Sequence, residues 1–214
     1  WEIINSGTQF KIADVTFGKG KFVMVGDKGL IYTFKEGFLK KINIQTDRYL
    51  VGITFDGNKF TVVGSNGFVI TSEDGEDWSF VDTGLDPLGW NSELWDIAIA
   101  ESKFVATGRN GTIIFSEGGK EWKKVRSGVY DKVLHGIAYG NKKFVVVGEK
   151  GTVLTSKDGK NWFQNPAPTN ANFTDIIFDG NKFLAVGPGI FTSYDGYRWD
   201  KKVSASSFIT GITY

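Results

Sequence analysis

His135 is the one histidine in the chain, and cysteine is absent. Thiol nucleophiles, disulfides, cysteine zinc sites and iron–sulfur clusters are therefore out of reach, and a Ser-His-Asp triad could only be built on His135. No cofactor and no metal site is expected. Carboxylates remain. Asp14, Asp96 and Asp175 each open an apolar run. Two carboxylates held about 5–10 Å apart can hydrolyse a glycosidic bond. The other chemistry on offer is recognition. Trp90 and Trp95 lie close in sequence, and His135, Arg48, Arg109, Asn110 and Tyr130 are polar or aromatic companions for them. An indole packs on the apolar face of a sugar or a side chain, while the polar groups around it take hydrogen bonds. Lys+Arg of 25 against Asp+Glu of 24 leaves a net charge of +1, which carries no footprint for nucleic acid. No apolar run approaches the ~18 residues of a membrane span. No charged-then-apolar leader opens the chain, so a signal peptide is expected to lie outside it.

These residues sit on a repeat. Glycine reaches 28 of 214 residues, about twice the usual ~7%. Phe22-Val23-Met24-Val25-Gly26 returns at Phe60, Phe104, Phe144 and Phe183, at intervals of 38, 44, 40 and 39 residues. A second marker runs about ten residues ahead of each, as Asp14-Val15, Gly52-Ile53, Asp96-Ile97, Gly136-Ile137 and Asp175-Ile176, and Gly211-Ile212 makes a sixth. Each unit reads as four short strands joined by glycine-bearing turns, with no helical periodicity. Four-stranded units of about 40 residues set around a ring make an all-β propeller.

The turn before the fourth strand reads Ser-x-Asp-Gly-x-x-Trp. It occurs as Ser72, Asp74 and Trp78, as Ser156, Asp158 and Trp162, and as Ser193, Asp195 and Trp199. A third-unit copy from Ser116 to Trp122 carries Gly118 in place of Asp, and the first unit has none. This motif resembles the Asp-box, or BNR, repeat of sialidase-like propellers over essentially the whole chain. The resemblance implies a structural role for the boxed Ser, Asp and Trp. It also implies that the fourth-to-first and second-to-third loops share one face while the boxes lie on the other. A single carboxylate per turn is too few oxygens for calcium. Sialidases of that family use an arginine triad and an Arg-Ile-Pro motif. Only Arg48 and Arg109 can face a pocket here and Arg-Ile-Pro is missing, so a sialidase is not expected.

The boxed position recurs at Trp1, Phe38, Trp78, Trp122, Trp162 and Trp199. Blades are expected at 13–46, 51–84, 95–128, 135–167 and 174–204. Residues 1–7 read as an outer strand and 208–214 as an inner strand of a further blade, so the chain is expected to come from a propeller of six or more blades. The alternative is a five-bladed ring with overhanging ends. Function is expected where the repeats disagree. The longest inter-blade connection precedes blade 3 and contains Trp90. Trp95 stands just before Asp96, at a position held elsewhere by Ala13, Val51, His135, Thr174 and Thr210. The expectation is a non-catalytic module, secreted or on a bacterial surface, that binds glycan or protein through this face. The alternatives are a hydrolase or lyase using the Asp carboxylates, and an assembly scaffold. Self-association through the incomplete blade is a further expectation.

Overall fold

The computed structural model describes residues 6–85 and 92–213. Twenty strands form five four-stranded antiparallel sheets, each in sequence order. Blade 1 holds β1 (Ile12–Gly18), β2 (Lys21–Gly26), β3 (Leu30–Lys35) and β4 (Phe38–Asn43). Blade 2 holds β5 (Leu50–Phe55), β6 (Phe60–Gly64), β7 (Val69–Ser72) and β8 (Ser79–Val81). Blade 3 holds β9 (Leu94–Ala100), β10 (Lys103–Gly108), β11 (Ile113–Glu117) and β12 (Glu121–Val125). Blade 4 holds β13 (Leu134–Gly140), β14 (Lys143–Gly148), β15 (Val153–Ser156) and β16 (Phe163–Gln164). Blade 5 holds β17 (Asp175–Phe178), β18 (Phe183–Val186), β19 (Gly189–Ser193) and β20 (Asp200–Ser204). The fold is the expected all-β propeller with five complete blades. Among the described residues no ladder joins blade 5 to blade 1, so hydrogen bonds do not close the ring.

The middle strands of blades 2, 3 and 4 are apolar on both sides because a blade lies on either side of each. In β14, Phe144 and Val146 pack toward blade 3, and Val145 and Val147 pack toward blade 5. The two-residue period of a strand sends alternate side chains to opposite faces, so both registers must be apolar here. The outer strands are the most exposed of each blade, although Ile42 of β4 and Trp122 of β12 reach the core; every residue of β20 is exposed. Four such interfaces form the core, one between each successive pair of blades.

The turns before the outer strands are held by their own side chains. Ser72 Oγ accepts from Gly75 N at 2.7 Å, while Asp74 Oδ1 accepts from Glu76 N and Asp77 N at 2.8 and 2.9 Å. Trp78 Nε1 donates to Gly75 O at 3.2 Å. The same pattern recurs around Ser156, Asp158 and Trp162 and around Ser193, Asp195 and Trp199. Blade 3 shows what the carboxylate does by lacking it. With Gly118 in its place, the buried Ser116 Oγ and Trp122 Nε1 have no partner. A buried polar atom left so costs about 1–3 kcal/mol.

Between blades, the inner strands are tied by carboxylates. Asp14 Oδ2 accepts from Ile53 N of the next blade at 2.8 Å, and its Oδ1 from Val15 N at 2.7 Å. Asp96 does the same with Ile137 N and Ile97 N, both at 2.7 Å. Asp175 reaches Ile212 N at 2.9 Å and Ile176 N at 2.7 Å. The glycines of the alternate blades have a steric reason. A Cβ on Gly52 would meet Asp96 Cα at 3.3 Å, and one on Gly136 would meet Asp175 Cα at 3.1 Å. Both contacts are to backbone, which cannot swing aside. Gly136→Ala is therefore expected to lower stability by about 1–3 kcal/mol in urea unfolding; an unchanged midpoint would contradict this packing.

Candidate functional site

The second-to-third hairpin tips and the segments entering each first strand are stitched together on one face. Asp27 N donates to Lys11 O at 3.0 Å, and Ser65 N to Tyr49 O, Arg109 N to Glu93 O and Glu149 N to Val133 O, each at 2.9 Å. The boxed turns meet the other hairpins instead: Lys143 Nζ donates to Asp195 O at 2.7 Å, and Lys59 Nζ to Gly118 O at 2.8 Å. The two faces therefore carry different loops.

On the stitched face, blades 1, 2 and 3 enclose a pocket of about 270 Å³. Trp95 stands at one side, 37% exposed, and Tyr49 at another, 53% exposed. Leu50, Val51 and Leu94 supply apolar lining, and Asp27, Glu93, Lys11 and Ser65 supply polar groups. Arg109 is drawn onto this rim by Glu93, with Nη1 to Oε2 at 3.4 Å. His135 meets Trp95 edge to face, with ring centroids 5.6 Å apart. Burial lowers the His135 pKa against the pull of Glu149, which keeps the imidazole neutral at neutral pH.

The structure thus brings Trp95, His135 and Arg109 into one neighbourhood. Asn110 sits beside them at the hairpin tip in the left-handed region, with φ of 52°. Arg48 turns away, its guanidinium 6.0 Å from the centroid of the Phe68 ring. Tyr130 stands 71% exposed, outside the pocket lining. Trp90 lies outside the described residues. Glu93, Lys11 and Ser65 are pocket residues that the motif reading passed over. Lys11, Tyr49, Glu93 and Val133 share one register immediately before the first strands, and their chemical variety there is the signal that marks them.

The carboxylates are spoken for. Each oxygen of Asp14, Asp96 and Asp175 accepts a backbone N–H. Burial pushes Asp14 up to about 6, with the charge of Asp175 adding to it. Burial also carries Asp96 well above the ordinary carboxylate value, helped by the charges of Asp175 and Asp14, and raises Asp175. Among the described residues no three acidic or histidine side chains converge in a way that would hold a metal ion.

No protein-family model and no curated protein matches the chain in sequence. Solved structures match its shape. YCF48 bound to D1 peptide superposes with a TM-score of 0.72 at 20% identity, over 94% of this chain and 69% of that one. Nidogen, in a complex with laminin, gives 0.70 at 12% identity, over 94% and 83%. The GH74 xyloglucanase from Xanthomonas campestris gives 0.68 at 12%, over 89% and 38%. The likeness is one of fold.

The raised carboxylates predict a pH dependence. The folded chain holds protons on Asp14 that the unfolded chain gives up between about pH 4 and pH 6. Stability from this group is therefore greatest below about pH 4 and falls as pH rises through about 6. His135, with a lowered value, acts in the opposite sense below its ordinary pKa of about 6.5. The box carboxylates, Asp74 at about 2 among them, cost stability only below about pH 4. The melting midpoint is expected to be higher at pH 5 than at pH 7.5, with a smaller difference in Asp14→Asn. Equal slopes in the two proteins would contradict the assignment.

Proposed function

We propose that this chain is a non-catalytic binding propeller that seats a segment of a protein partner in the pocket between blades 1, 2 and 3. The observation that carries this is the pairing of two exposed aromatic plates, Trp95 and Tyr49, over an apolar floor with charges at the rim. Trp and Tyr are the residues that most often anchor binding when a partner desolvates them. The floor suits an apolar side chain, and Asp27 and Glu93 suit a neighbouring amide or cation. YCF48 with its D1 peptide and nidogen with laminin support the reading that this fold presents a surface to polypeptides.

A glycan is the second reading. It is favoured by the same two rings, because a sugar stacks on an indole while Asp27, Glu93 and Ser65 take its hydroxyls. A hydrolase is disfavoured by the carboxylates, whose oxygens are bonded to backbone of two blades rather than directed at a substrate. A pure scaffold leaves the exposed Trp95 without a use. On the same reading we place the protein outside the cell or at its surface, as an Asp-box type propeller.

Peptide and glycan arrays with the wild-type chain, Trp95→Ala, Tyr49→Ala and Phe163→Ala test this. Trp95→Ala is expected to weaken peptide binding by at least about tenfold. Phe163→Ala, exposed on an outer strand, should leave it unchanged. Equal binding by wild type and Trp95→Ala would sink the proposal. Trp95-dependent binding to glycans alone would select the second reading.

A further inference from the structure

The turn before the outer strand of blade 3 departs from the complete boxes in both sequence and shape. Ser116 to Trp122 matches Ser72 to Trp78 in length, with Gly118 where Asp74 stands. In the complete boxes the outer strand begins after the Trp, at Ser79, Phe163 and Asp200. In blade 3 it begins at Glu121, which pairs with Glu117 across a tight hairpin. Gly118 and Gly119 are both left-handed there, with φ of 77° and 70°, whereas Asp74, Asp158 and Asp195 are not. Gly118 N donates to Ser102 O at 2.7 Å instead of to the turn's own serine. Among the described residues, Ser116 Oγ, Trp122 Nε1 and Thr61 Oγ1 are buried without a partner, on side chains 1%, 7% and 0% exposed.

These three belong to one place. Ser116 and Trp122 stand opposite each other on β11 and β12. At the complete boxes the blade before presents a valine to the turn. Val23, Val105 and Val145 each bring Cγ2 to 3.0, 2.9 and 2.9 Å from where a Cβ on Gly75, Gly159 and Gly196 would stand. Thr61 holds that repeat position ahead of the blade 3 turn. Lys59 arrives from the same hairpin, its Nζ donating to Gly118 O at 2.8 Å. Unpartnered O–H and N–H donors beside an ammonium suit an anion. A groove of about 890 Å³ between blades 2 and 3 leads to this turn, with Lys19, Lys59, Lys120 and Gly119 in its lining. The matching groove between blades 4 and 5 holds about 330 Å³, since Phe163 and Tyr197 stand where Ser79 and Lys120 do. Glu73, Asp74, Asp77 and Asp82 line the blade 2 wall, so the groove repels a polyanion and suits a single negative charge.

We infer that the blade 3 turn is a carboxylate-binding site, which takes an acidic side chain of a polypeptide or a small carboxylic acid. The ligand's oxygens stand in for the side chain that Gly118 does not carry. They accept from Ser116 Oγ and from the amides of Lys120 and Glu121, as Asp74 Oδ1 accepts from Ser72 Oγ, Glu76 N and Asp77 N. Lys59 pairs with the charge. The two glycines let the turn pass from the hairpin to the box form. Gly119 N then reaches Ser116 Oγ, and Trp122 Nε1 finds Gly119 O, as their counterparts do around Gly75. The site lies on the boxed face, and the inference is independent of the pocket that holds Trp95.

Acetate and N-acetyl-aspartyl-glycine amide are titrated into the whole protein, against chloride at equal ionic strength. The readouts are the indole N–H resonance of Trp122, assigned with Trp122→Phe, and the melting midpoint. Each carboxylate is expected to shift that resonance saturably and to raise the midpoint, and chloride to do neither. Tighter binding of the peptide assigns the site to a polypeptide side chain, and tighter binding of acetate to a free acid. Gly118→Asp should move the Trp122 resonance the same way without ligand, raise the midpoint and abolish the response to both probes. Lys59→Met should weaken binding at least about tenfold. Lys157→Ala, at a complete box, and Trp95→Ala, in the loop-face pocket, should leave it unchanged. No saturable shift at Trp122, an equal shift with chloride, an undiminished response in Gly118→Asp, or unaltered binding by Lys59→Met would each overturn the inference.

Discussion

One carboxylate bridges two inner strands at Asp14 and again at Asp96, and Asp175 makes the same bond to Ile212 beyond the last strand. The rest of the architecture hangs on it. A blade is a sheet with two apolar faces and cannot hide either without a neighbour. Apolar packing is non-directional and leaves the offset between blades open. The Asp bond fixes that offset, because it joins one side-chain oxygen to one particular N–H. The alternating glycine admits the neighbour's backbone at 3.1 to 3.3 Å from where a Cβ would stand. The hydrogen bond fixes the offset between blades 1 and 2 and between blades 3 and 4, and the close approach fixes it between blades 2 and 3 and between blades 4 and 5.

From that register the loop face follows. Trp95 and His135 occupy one repeat position in adjacent blades, and the offset brings their rings to 5.6 Å. The segments before the first strands and the second-to-third hairpin tips are then set side by side. Lys11, Tyr49 and Glu93 line one pocket although they come from three different blades. The face is rigid because backbone hydrogen bonds hold its hairpin tips, and the variable side chains are displayed from it. Such a division between repeated scaffold and variable display is how solenoids and propellers acquire binding sites.

The blades were legible in the sequence because each is local. Phe22-Val23-Met24-Val25-Gly26 and its copies spell out a strand and a turn within a few residues. The Ser-x-Asp-Gly turn was legible for the same reason, since its bonds span only two or three residues. Trp95 stood out as a tryptophan off the repeat. What the sequence concealed was everything that crosses between blades. Asp14, Asp96 and Asp175 read equally well as candidate acids, because Asp14 meets Ile53 and Asp96 meets Ile137 some forty residues away in sequence. Arg48 read as a pocket residue, yet its side chain lies against Phe68. Glu93 went unnoticed because its neighbours in the pocket belong to other blades.

The central claim is that the inter-blade carboxylate bonds hold the ring in register. Residue-resolved amide hydrogen exchange at Ile53 and Ile137 tests it most directly, in the wild-type chain and in Asp14→Ala. Ile53 and Ile137 should exchange as slowly as the ladder amides of Val62 and Val146, through global opening alone. Asp14→Ala should speed exchange at Ile53 and leave Ile137 slow. Fast exchange at both amides in the wild-type chain, or no response of Ile53 to the substitution, would contradict the account.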